Sequence, residues 1–425
     1  MPQIKFIHAA DVHLDSPLVG LARYPGAPVE AMRGATRQAL RNLTELAVSE
    51  EVSFVLLAGD LYDGDWRDYN TGLFFASRMR GLAEAGIRVF AVAGNHDAAS
   101  QMTRHLRLPQ NVHLFSSREA ETIDLPDLGV AVHGRSFPVR AVTEDLSADY
   151  PLALPHTFNI GLLHTCGEGR SGHDPYAPCS LSGLLSKGYD YWALGHVHQR
   201  EVLHENPWVV FSGNIQGRHA RETGAKGCTL VTVEDGRVTS VEHRELDVLR
   251  WSQCRVDASG ADTGDDLLSR VTQALEAEQE AGGGRPLAVR LRISGPCRAH
   301  AELGSATEHW LNEIRAAAAE LSGPRVFWLE EIILETQAAT DLEAMLARDD
   351  ALGSLLRGID GWAMDEENLR AEVLAELGSL RHKLPAELRL GDDAPDLTRP
   401  EGMSWARAGV KQLILARLLD KGEAG

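Results

Sequence analysis

The sequence has few cysteines and no long apolar run, and both absences narrow the class of protein. Five cysteines in 425 residues form no CxxC pair, which disfavours a disulfide framework or a thiolate zinc site and fits a reducing compartment. No stretch approaches the ~20 consecutive apolar residues of a membrane span. The N-terminus lacks the apolar region and cleavage site of a signal peptide. The sequence therefore predicts a cytoplasmic protein without a membrane partner.

Basic residues are also in the minority: 42 Lys and Arg stand against 61 Asp and Glu, a formal net charge of −19. Such a chain has no global attraction for nucleic acid, which excludes a histone-like wrapper but leaves local basic patches and metal ions as ways to bind DNA. Hydrophobic residues at 44% and charged residues at 24% are ordinary globular values, and they disfavour a wholly disordered or collagen-like chain.

The order of apolar runs divides the chain into three predicted domains, within the two or three that about 150 residues per domain would give. Residues 1–248 begin in the order β-α-β-α-β and end in a strand-rich half, with a hairpin turn at Asp235-Gly236, which predicts a layered α/β domain with two mixed sheets. Residues 249–335 predict a small α+β domain. Residues 336–425 predict helices separated by a polar linker.

Five short motifs that contain acids and histidines follow the apolar runs of the first predicted domain. They are Asp11-Val12-His13, Gly59-Asp60-Leu61-Tyr62-Asp63, Gly94-Asn95-His96-Asp97, His164 and Gly195-His196-Val197-His198. Because residues i and i+2 of a strand point to the same side, the D-x-H and H-x-H pairs each place two ligands together. The carboxyl ends of sheet strands also meet where α/β folds build their sites.

The donors in these motifs are carboxylates, imidazoles and one amide oxygen, a mixture that suits Mn²⁺, Fe²⁺ or Zn²⁺. Asp60 can bridge two ions because a carboxylate has two oxygens, and two ions about 3.5–4 Å apart activate water and clamp a phosphate. Each motif alone has a plainer interpretation, such as a turn at Gly94-Asn95 or a structural role for His164. The five together predict a dinuclear metal site.

The series D-x-H, GDxxD, GNHD, H and GHxH resembles the signature of the calcineurin-like metallophosphoesterases. Within that family, HAADVHLDSP, LLAGDLYD, FAVAGNHD and ALGHVHQ resemble the SbcD-type DNA repair exonucleases. GHDPYAPCSLSGLLSKGYDYWALGHVHQRE and FSGNIQGRHARETGAKGC resemble the YhaO-type branch. The likeness is specific over residues 4–235. It implies a four-layer α/β/β/α metallophosphoesterase sandwich, a small α+β capping domain that holds DNA over the metals, and a helical C-terminal tail.

Carried over by position, the resemblance implies two divalent metal ions, with Mn²⁺ favoured over Fe²⁺ or Zn²⁺. One ion would take Asp11, His13, Asp60 and His198, and the other would take Asp60, Asn95, His164 and His196. His96 is the implied catalytic histidine, and Asp97 is the carboxylate expected to orient it. Relatives carry a histidine or an acid at the position of Asp63, so Asp63 is either catalytic or a solvated loop acid.

A second group of candidates lies in and after the Gly-flanked turn at 213–219. The residues predicted to bind DNA or phosphate are Asn214, Gln216, Arg218 and Arg221, with Lys226 nearby. Backbone amides of such a turn, together with basic side chains, make a phosphate-holding patch. The plainer interpretation is an ordinary turn before a strand.

The resemblance implies a metal-dependent DNA nuclease, a 3′→5′ exonuclease with endonuclease capacity, in double-strand break repair or end processing. A small-molecule phosphodiesterase or nucleotide phosphohydrolase with the same dinuclear site is the alternative. A structural DNA-end-binding subunit with vestigial catalysis is a third reading, and the intact ligand set argues against it. The length of chain after the first domain favours DNA, because small substrates need no such cap.

The resemblance also implies two protein partners. A homodimer would form through NTGLFFASRMRG, with Leu73, Phe74 and Met79, and SQMTRHLRL, with Met102 and Leu106, unless these residues face their own sheet. An SMC-like coiled-coil ATPase of the YhaN type would bind the last helix, SWARAGVKQLILARLLDKG, whose apolar residues lie at helical spacing. The alternative is that this helix folds back on the capping domain of the same chain.

Overall fold

The computed structural model describes residues 3–16, 29–63, 69–99, 107–167, 176–321, 326–339, 347–350, 353–355 and 357–358. In these ranges the strands are β1 (Ile4–Ala9), β2 (Phe54–Ala58), β3 (Arg88–Val92), β4 (Val112–Leu114), β5 (Glu121–Leu125), β6 (Val130–Gly134), β7 (Phe158–His164), β8 (Tyr191–Gly195), β9 (Glu201–Glu205), β10 (Trp208–Phe211), β11 (Gly227–Glu234), β12 (Arg237–Glu245), β13 (Arg250–Asp257), β14 (Leu287–Cys297) and β15 (Phe327–Ala338). The helices are α1 (Val29–Ser49), α2 (Tyr69–Glu84), α3 (Asn95–Ala99), α4 (Leu181–Leu185), α5 (Gly264–Ala281), α6 (His300–Ser305), α7 (Thr307–Leu321) and a 3₁₀ helix at Leu146–Asp149.

The first sheet has the strand order β12-β11-β1-β2-β3-β4, with β1 to β4 parallel and β11 and β12 antiparallel. Successive side chains of a strand face opposite sides, so each strand contributes to two cores. Ile7 and Val55 pack with Phe75 of α2 and Leu43 of α1 on one side. Phe6 belongs to the core on the other side, which lies between the two six-stranded sheets.

The second sheet has the order β5-β6-β7-β8-β10-β9, in which the four central strands are parallel and the two edge strands antiparallel. Its outer face packs Trp192 and Phe211 against Leu146 of the 3₁₀ helix and Leu184 of α4. Helices therefore cover both outer faces of two stacked mixed sheets. The predicted four-layer α/β/β/α sandwich is confirmed.

The predicted hairpin at Asp235-Gly236 is also confirmed. Strands β11 and β12 pair antiparallel up to Glu234 and Arg237. Asp235 has φ 50° and Gly236 has φ 72°. Two consecutive left-handed residues are what a two-residue hairpin turn requires, and Asp and Gly adopt that conformation at low cost.

A third sheet has the order β13-β14-β15, and α5 lies between β13 and β14 in the chain. The start of α5 is capped reciprocally: the Asp266 backbone N–H donates to Thr263 Oγ1 and the Thr263 backbone N–H donates to Asp266 Oδ2, both at 3.1 Å. This alternation of strands and helices fits the α+β pattern that the sequence predicts after residue 249.

By spatial grouping the chain divides into two compact units. One contains Met1–Cys254, Gln273–Leu291 and Arg315–Ile332, and the other contains Arg255–Thr272, Arg292–Ile314 and Ile333–Gly425. The predicted domain boundaries at 248 and 335 stay predictions. Most of the predicted helical tail, including the last helix, lies outside the described residues.

None of the helices in the described ranges combines the length and apolar character that a membrane crossing requires. All five cysteines are buried. Among the residues predicted for a homodimer, Met79 is buried in the core beside the first sheet, whereas Leu73 is 54% exposed. Met102 and Leu106 lie outside the described residues, and the homodimer stays a prediction.

Candidate metal centre

Seven side chains predicted to bind metal come together where strands of the two large sheets end. We call them the strand-end cluster: Asp11, His13, Asp60, Asn95, His164, His196 and His198. All are buried except His198, whose side chain is 24% exposed. Strand pairing continues past β1 into this region, because the Asp11 and His13 backbone amides donate to Gly59 and Asp60 carbonyls, each at 3.0 Å.

The backbone of this cluster is left-handed at four of its seven residues. The φ angles are 51° at Asp11, 41° at His13, 50° at Asp60 and 95° at His196. Such conformations cost free energy for residues with a Cβ and are found where a functional geometry over-determines the chain. The D-x-H pair is therefore brought together by left-handed turns beyond the end of β1, and the pleat of a strand is not the cause.

Two motif glycines allow the close approach of these loops. A Cβ on Gly59 would lie 2.4 Å from Nδ1 of His164, and a Cβ on Gly94 would lie 2.3 Å from Oδ1 of Asp60. Both distances are far below van der Waals contact. The glycines of the GDxxD and GNHD motifs are thus required by the packing of the cluster.

The first half of the cluster is built around two imidazoles. His13 Nε2 lies 3.2 Å from His198 Nε2, and His198 Nε2 lies 4.0 Å from Asp11 Oδ1. Two atoms bound about 2.1 Å from one ion at angles near 90–110° lie about 3.0–3.4 Å apart. The separation of the two imidazoles matches that value, as expected for ligands of one ion.

The second half has the same spacing. His164 Nε2 lies 2.9 Å from Asn95 Oδ1 and 3.5 Å from Asp60 Oδ2. His196 groups with His164 and Asp60 in the same way. Asp60 Oδ2 also lies 3.8 Å from His13 Nε2 in the first half, so Asp60 stands between the two groups as the predicted bridging ligand would. The assignment of each residue to one ion stays a prediction.

The protonation of the imidazoles supports a cation in each half. His164 Nδ1 lies 2.9 Å from the Ala58 carbonyl oxygen and His198 Nδ1 lies 2.6 Å from Glu222 Oε1, so both Nδ1 atoms donate. A neutral imidazole then has a lone pair at Nε2. The lone pair of His164 faces the Asn95 oxygen, and that of His198 faces Nε2 of His13. A metal ion between His164 and Asn95 removes the repulsion of two acceptors that face each other.

Burial sets the charge of the cluster. It lowers the pKa of His13 and of His164 to about 3, so both are neutral ligands at pH 7. Burial, and then the nearby charge of Asp60, raise the pKa of Asp11 well above its usual value. Two buried carboxylates close together are costly unless a cation compensates them. The donor set, the spacing and the charge fit two divalent ions.

His96 lies beside the cluster, and its partner differs from the one predicted. His96 Nδ1 lies 2.8 Å from Asp63 Oδ1. Burial alone would lower the pKa of His96, but this hydrogen bond and the charges of Asp60 and Asp63 raise it above the usual value. Asp63 also accepts from Ser16 Oγ at 2.5 Å, and its side chain is only 18% exposed. Asp63 is therefore not a solvated loop acid.

The expectation that Asp97 orients His96 is not what the structure shows. The Asp97 carboxylate accepts from the backbone amides of Leu61, Tyr62 and Gly94, at 3.1, 3.0 and 3.0 Å. It ties the GDxxD loop to the GNHD loop. Burial, and then repulsion from Asp60, raise the pKa of Asp97 to about 7. Asp97 supports the backbone, while Asp63 takes the place beside the imidazole.

The four predicted phosphate-binding residues separate into two pairs. Asn214 and Gln216 are 0% and 2% exposed. Gln216 donates to the Leu249 and Gly217 carbonyls at 2.6 and 2.9 Å and accepts from the Val248 amide at 2.9 Å. Asn214 donates to the Gln216 carbonyl at 2.9 Å. Both side chains are enclosed by the protein and do not face the surface, and their predicted role in binding DNA stays a prediction.

Arg218 and Arg221 are more accessible. The Arg218 guanidinium lies 3.5 Å from Asp63 Oδ2 and 3.3 Å from Glu222 Oε1, at the edge of the strand-end cluster. Arg221 is exposed and lines a cavity of about 540 Å³ together with Trp251. Lys226 is buried and donates to the His198 carbonyl at 3.0 Å, which supports the His198 loop. Arg218 is thus the predicted phosphate-binding residue that lies at the metal site.

The sequence analysis missed Glu222. This buried carboxylate accepts from His198 Nδ1 at 2.6 Å and from Asn214 Nδ2 and the Arg218 amide at 2.9 and 2.7 Å. Burial opposes its charge, but the His198 hydrogen bond and the Arg218 charge hold the pKa of Glu222 well below its usual value. A carboxylate behind a metal-binding histidine fixes its tautomer. The available signal was an acid within the GNIQGRHARETGAKG segment.

Comparisons with known proteins agree with this geometry. Residues 4–200 match the calcineurin-like phosphoesterase family, and residues 251–337 match the middle domain of the metallophosphoesterase YhaO. The metallophosphoesterase YhaO of Bacillus subtilis (strain 168) is 36% identical over 366 residues, which cover 85% of this chain and 88% of that protein.

Two archaeal proteins are more distant relatives. The DNA double-strand break repair protein Mre11 of Methanopyrus kandleri is 26% identical over 302 residues, 63% of this chain and 62% of that protein. The protein of the same name from Sulfurisphaera tokodaii is 24% identical over 272 residues, 58% of this chain and 64% of that protein.

The fold, the donor set and these matches define a class of hydrolase, the metallophosphoesterases. Within the calcineurin-like metallophosphoesterases, the chain belongs to the YhaO family.

Proposed function

We propose that the chain is a DNA nuclease that hydrolyses phosphodiester bonds with two divalent metal ions, Mn²⁺ in the first place. The observation that carries the proposal is the strand-end cluster with His96 and Asp63 beside it. The relationship to two DNA double-strand break repair proteins supports DNA as the substrate. The proposed reaction is 3′→5′ exonucleolytic with endonuclease capacity, as the resemblance of the sequence motifs implies, and its proposed place is break repair or end processing.

The residues of the cluster would hold the ions as predicted, with Asp60 between them. Two such ions, when bound, supply Lewis-acid activation of water and of the phosphate. The neutral imidazoles of His13 and His164 present lone pairs to this space, and Glu222 keeps His198 in the tautomer with a free Nε2. The metal-binding atoms of these residues are thus already in position before the substrate binds.

His96 supplies the proton in this proposal. Asp63 accepts from Nδ1, so Nε2 is left to donate a proton to the leaving 3′-oxygen. Asp63 favours the protonated imidazole, because it places a carboxylate beside Nδ1 of His96. Arg218, which lies between Asp63 and Glu222, contacts the phosphate from the edge of the cluster.

A nuclease assay tests the proposal. End-labelled duplex and single-stranded DNA would be incubated with the full chain in Mn²⁺, with the full chain in EDTA, and with Asp60→Asn in Mn²⁺. We expect shortened DNA in the first reaction alone. If the full chain with Mn²⁺ leaves DNA intact but hydrolyses bis(p-nitrophenyl) phosphate or a cyclic nucleotide, DNA is not the substrate and the small-molecule alternative replaces the proposal.

The SMC-like ATPase remains a proposed partner. The segment expected to bind it, SWARAGVKQLILARLLDKG, lies outside the described residues. Deletion of residues 396–425 should abolish co-purification with the ATPase and leave cleavage of short DNA intact. Unfolding of the truncated chain, or retained co-purification, would contradict the docking role.

A further inference from the structure

Three arginines gather around one aromatic ring on the surface formed by α1 and α2. The guanidinium carbons of Arg37, Arg41 and Arg78 lie 5.2, 5.1 and 5.7 Å from the ring centroid of Phe74. We call these three residues the arginine cluster. Each distance is within the range of a cation–π contact, so the ring holds the three cations at fixed positions.

Among the residues that the structure describes, one of the three arginines has an acidic partner. Arg37 pairs with both carboxylate oxygens of Asp15, at 2.7 and 2.5 Å. Arg41 donates to the neutral Gln38 at 2.9 Å, and the buried Nε of Arg78 has no hydrogen-bond partner among the described residues. In the described ranges neither Arg41 nor Arg78 forms an ion pair. Like charges held this close repel, and an anion would relieve the repulsion.

The arginine cluster is linked directly to the metal site. Asp15, which pairs with Arg37, also accepts from Thr71 Oγ1 of α2 at 2.5 Å. The next residue, Ser16, donates to Asp63, the partner of His96. One short loop therefore joins the arginines to the proposed proton donor.

We propose that the arginine cluster binds the phosphate backbone of duplex DNA on one side of the cleavage point. The inference rests on the proposed nuclease function and names the surface that carries its substrate. Arg is suited to this role because its planar fork donates to two phosphate oxygens at once. The chain has a net charge of −19 and does not attract DNA as a whole, so a local cluster of positive charge is one way for it to bind DNA.

A second copy of the chain is the competing occupant, because Leu73 beside Phe74 is 54% exposed. A two-fold contact places the same patch of both copies face to face. In such a dimer, Arg41 and Arg78 of one copy would lie opposite the same arginines of the second copy and repel them. Charge complementarity therefore favours DNA over a second copy.

The test compares the double variant Arg41→Gln/Arg78→Gln with Arg80→Gln. Arg80 is an exposed arginine of α2 that donates to the Ala76 carbonyl and lies two residues from Arg78, on another face of the helix. Binding of a labelled duplex would be followed by fluorescence anisotropy over a series of salt concentrations, in EDTA to prevent cleavage. Each phosphate contact contributes about 0.9 to the slope of log K against log salt.

We expect the double variant to lose about 1.8 from that slope and at least tenfold in affinity at low salt. Arg80→Gln should leave both unchanged, and Arg41→Lys/Arg78→Lys should restore the slope because it keeps the charges. All four proteins should hydrolyse bis(p-nitrophenyl) phosphate at the same rate with Mn²⁺. That rate also shows that the variants are folded.

Other outcomes overturn the inference. An unchanged slope in the folded double variant, with DNA still cleaved, removes the arginine cluster from DNA binding and leaves the nuclease proposal standing. A changed oligomeric state by light scattering, without a changed slope, assigns the surface to a second copy. If the full chain neither binds nor cleaves DNA but hydrolyses the small diester, the nuclease proposal and this inference fail together.

Discussion

The strand-end cluster and the segment at 212–226 both bury polar side chains beside the same site, yet they use them in opposite ways. Gln216 in the segment has protein partners for its donor and its acceptor. In the cluster, the Nε2 atoms of His13 and His198 lie 3.2 Å apart, the spacing of two ligands of one ion. Burial alone therefore does not identify a binding residue. The backbone distinguishes the two regions: four residues of the cluster that carry a Cβ have positive φ, whereas in the segment positive φ occurs only at Gly213 and Gly224.

The largest expected effect on activity is that of His96→Ala, a substitution beside the strand-end cluster. Loss of the proton donor should lower kcat by about 10²–10⁴-fold, because general acid–base catalysis is typically worth that much. Both ions should remain bound, since His96 is not a predicted ligand. Steady-state kinetics and metal analysis of the same sample check this. A wild-type rate with full metal content would remove His96 from catalysis.

Asp63→Asn and Asp97→Asn form a matched pair. We expect Asp63→Asn to lower kcat by about 10²-fold, because His96 loses the carboxylate that fixes its tautomer. Asp97→Asn should stay within about tenfold of the wild-type kcat and lose about 1–2 kcal/mol of unfolding free energy, because Asp97 holds three backbone amides. Kinetics and urea unfolding of both variants would show a reversed pattern if Asp97 were the orienting residue.

Glu222→Gln tests the contact between the segment at 212–226, which contains Glu222, and the strand-end cluster, which contains His198. The substitution keeps the shape and removes the charge behind His198, so metal affinity should fall by about 10–100-fold. Isothermal titration with Mn²⁺ measures the change, with Glu205→Gln on the exposed face of β9 as the control. Equal affinities in both variants would show that Glu222 does not support a ligand.

Gln216→Ala should act on stability alone. It leaves the Leu249 carbonyl and the Val248 amide without their partner, at a cost of about 2–3 kcal/mol. DNA affinity at a temperature where the variant is folded should equal that of the wild type. Gln3→Ala, at an exposed glutamine, should cost less than about 0.5 kcal/mol. A weaker DNA complex with unchanged stability would restore the phosphate-binding role.

The last prediction concerns His8, a buried histidine outside the cluster, and applies only to the pH dependence of stability. Both of its ring nitrogens have protein partners, Tyr191 Oη at 3.0 Å and the Leu194 carbonyl at 3.1 Å. Burial lowers its pKa to about 3. Because the unfolded state takes up a proton near pH 6.5 and the folded state does not, stability falls as pH drops below that value.

The contribution of His8 between pH 8 and pH 5 should be about 2 kcal/mol. Urea unfolding in EDTA at the two pH values, for wild type and His8→Gln, measures it as the difference between the two pH dependences. Metal binding should be unchanged in the variant. Identical pH dependences would show that His8 is not held neutral, and loss of metal would place it with the strand-end cluster.

The sequence predicted the layers of the fold and the place of the cluster, because apolar runs that end in acid or histidine mark the carboxyl ends of strands. It did not predict how Asp11 and His13 meet, since left-handed turns leave no periodic signal. Nor could it choose between Asp63 and Asp97: both lie in motif loops, and only the packed structure shows which carboxylate reaches His96.

The burial of the Gln216 side chain could not be predicted from the sequence for a similar reason. Its partners, Val248 and Leu249, lie more than thirty positions further along the chain. A Gly-flanked turn with basic residues has the same local pattern whether its side chains face a ligand or the protein interior. Glu222 went unnoticed because its role depends on the position of His198, a contact between distant parts of the sequence.

Metal analysis of Asp60→Asn is the decisive measurement for the dinuclear site. Wild type, Asp60→Asn and Asp190→Asn would be loaded with Mn²⁺, dialysed and measured by elemental analysis per chain; Asp190 is an acid outside the cluster that accepts from the Asn159 amide. Wild type and Asp190→Asn should hold two ions, and Asp60→Asn at most one, because Asp60 lies between both groups of ligands. Two ions retained in Asp60→Asn would contradict the bridging role.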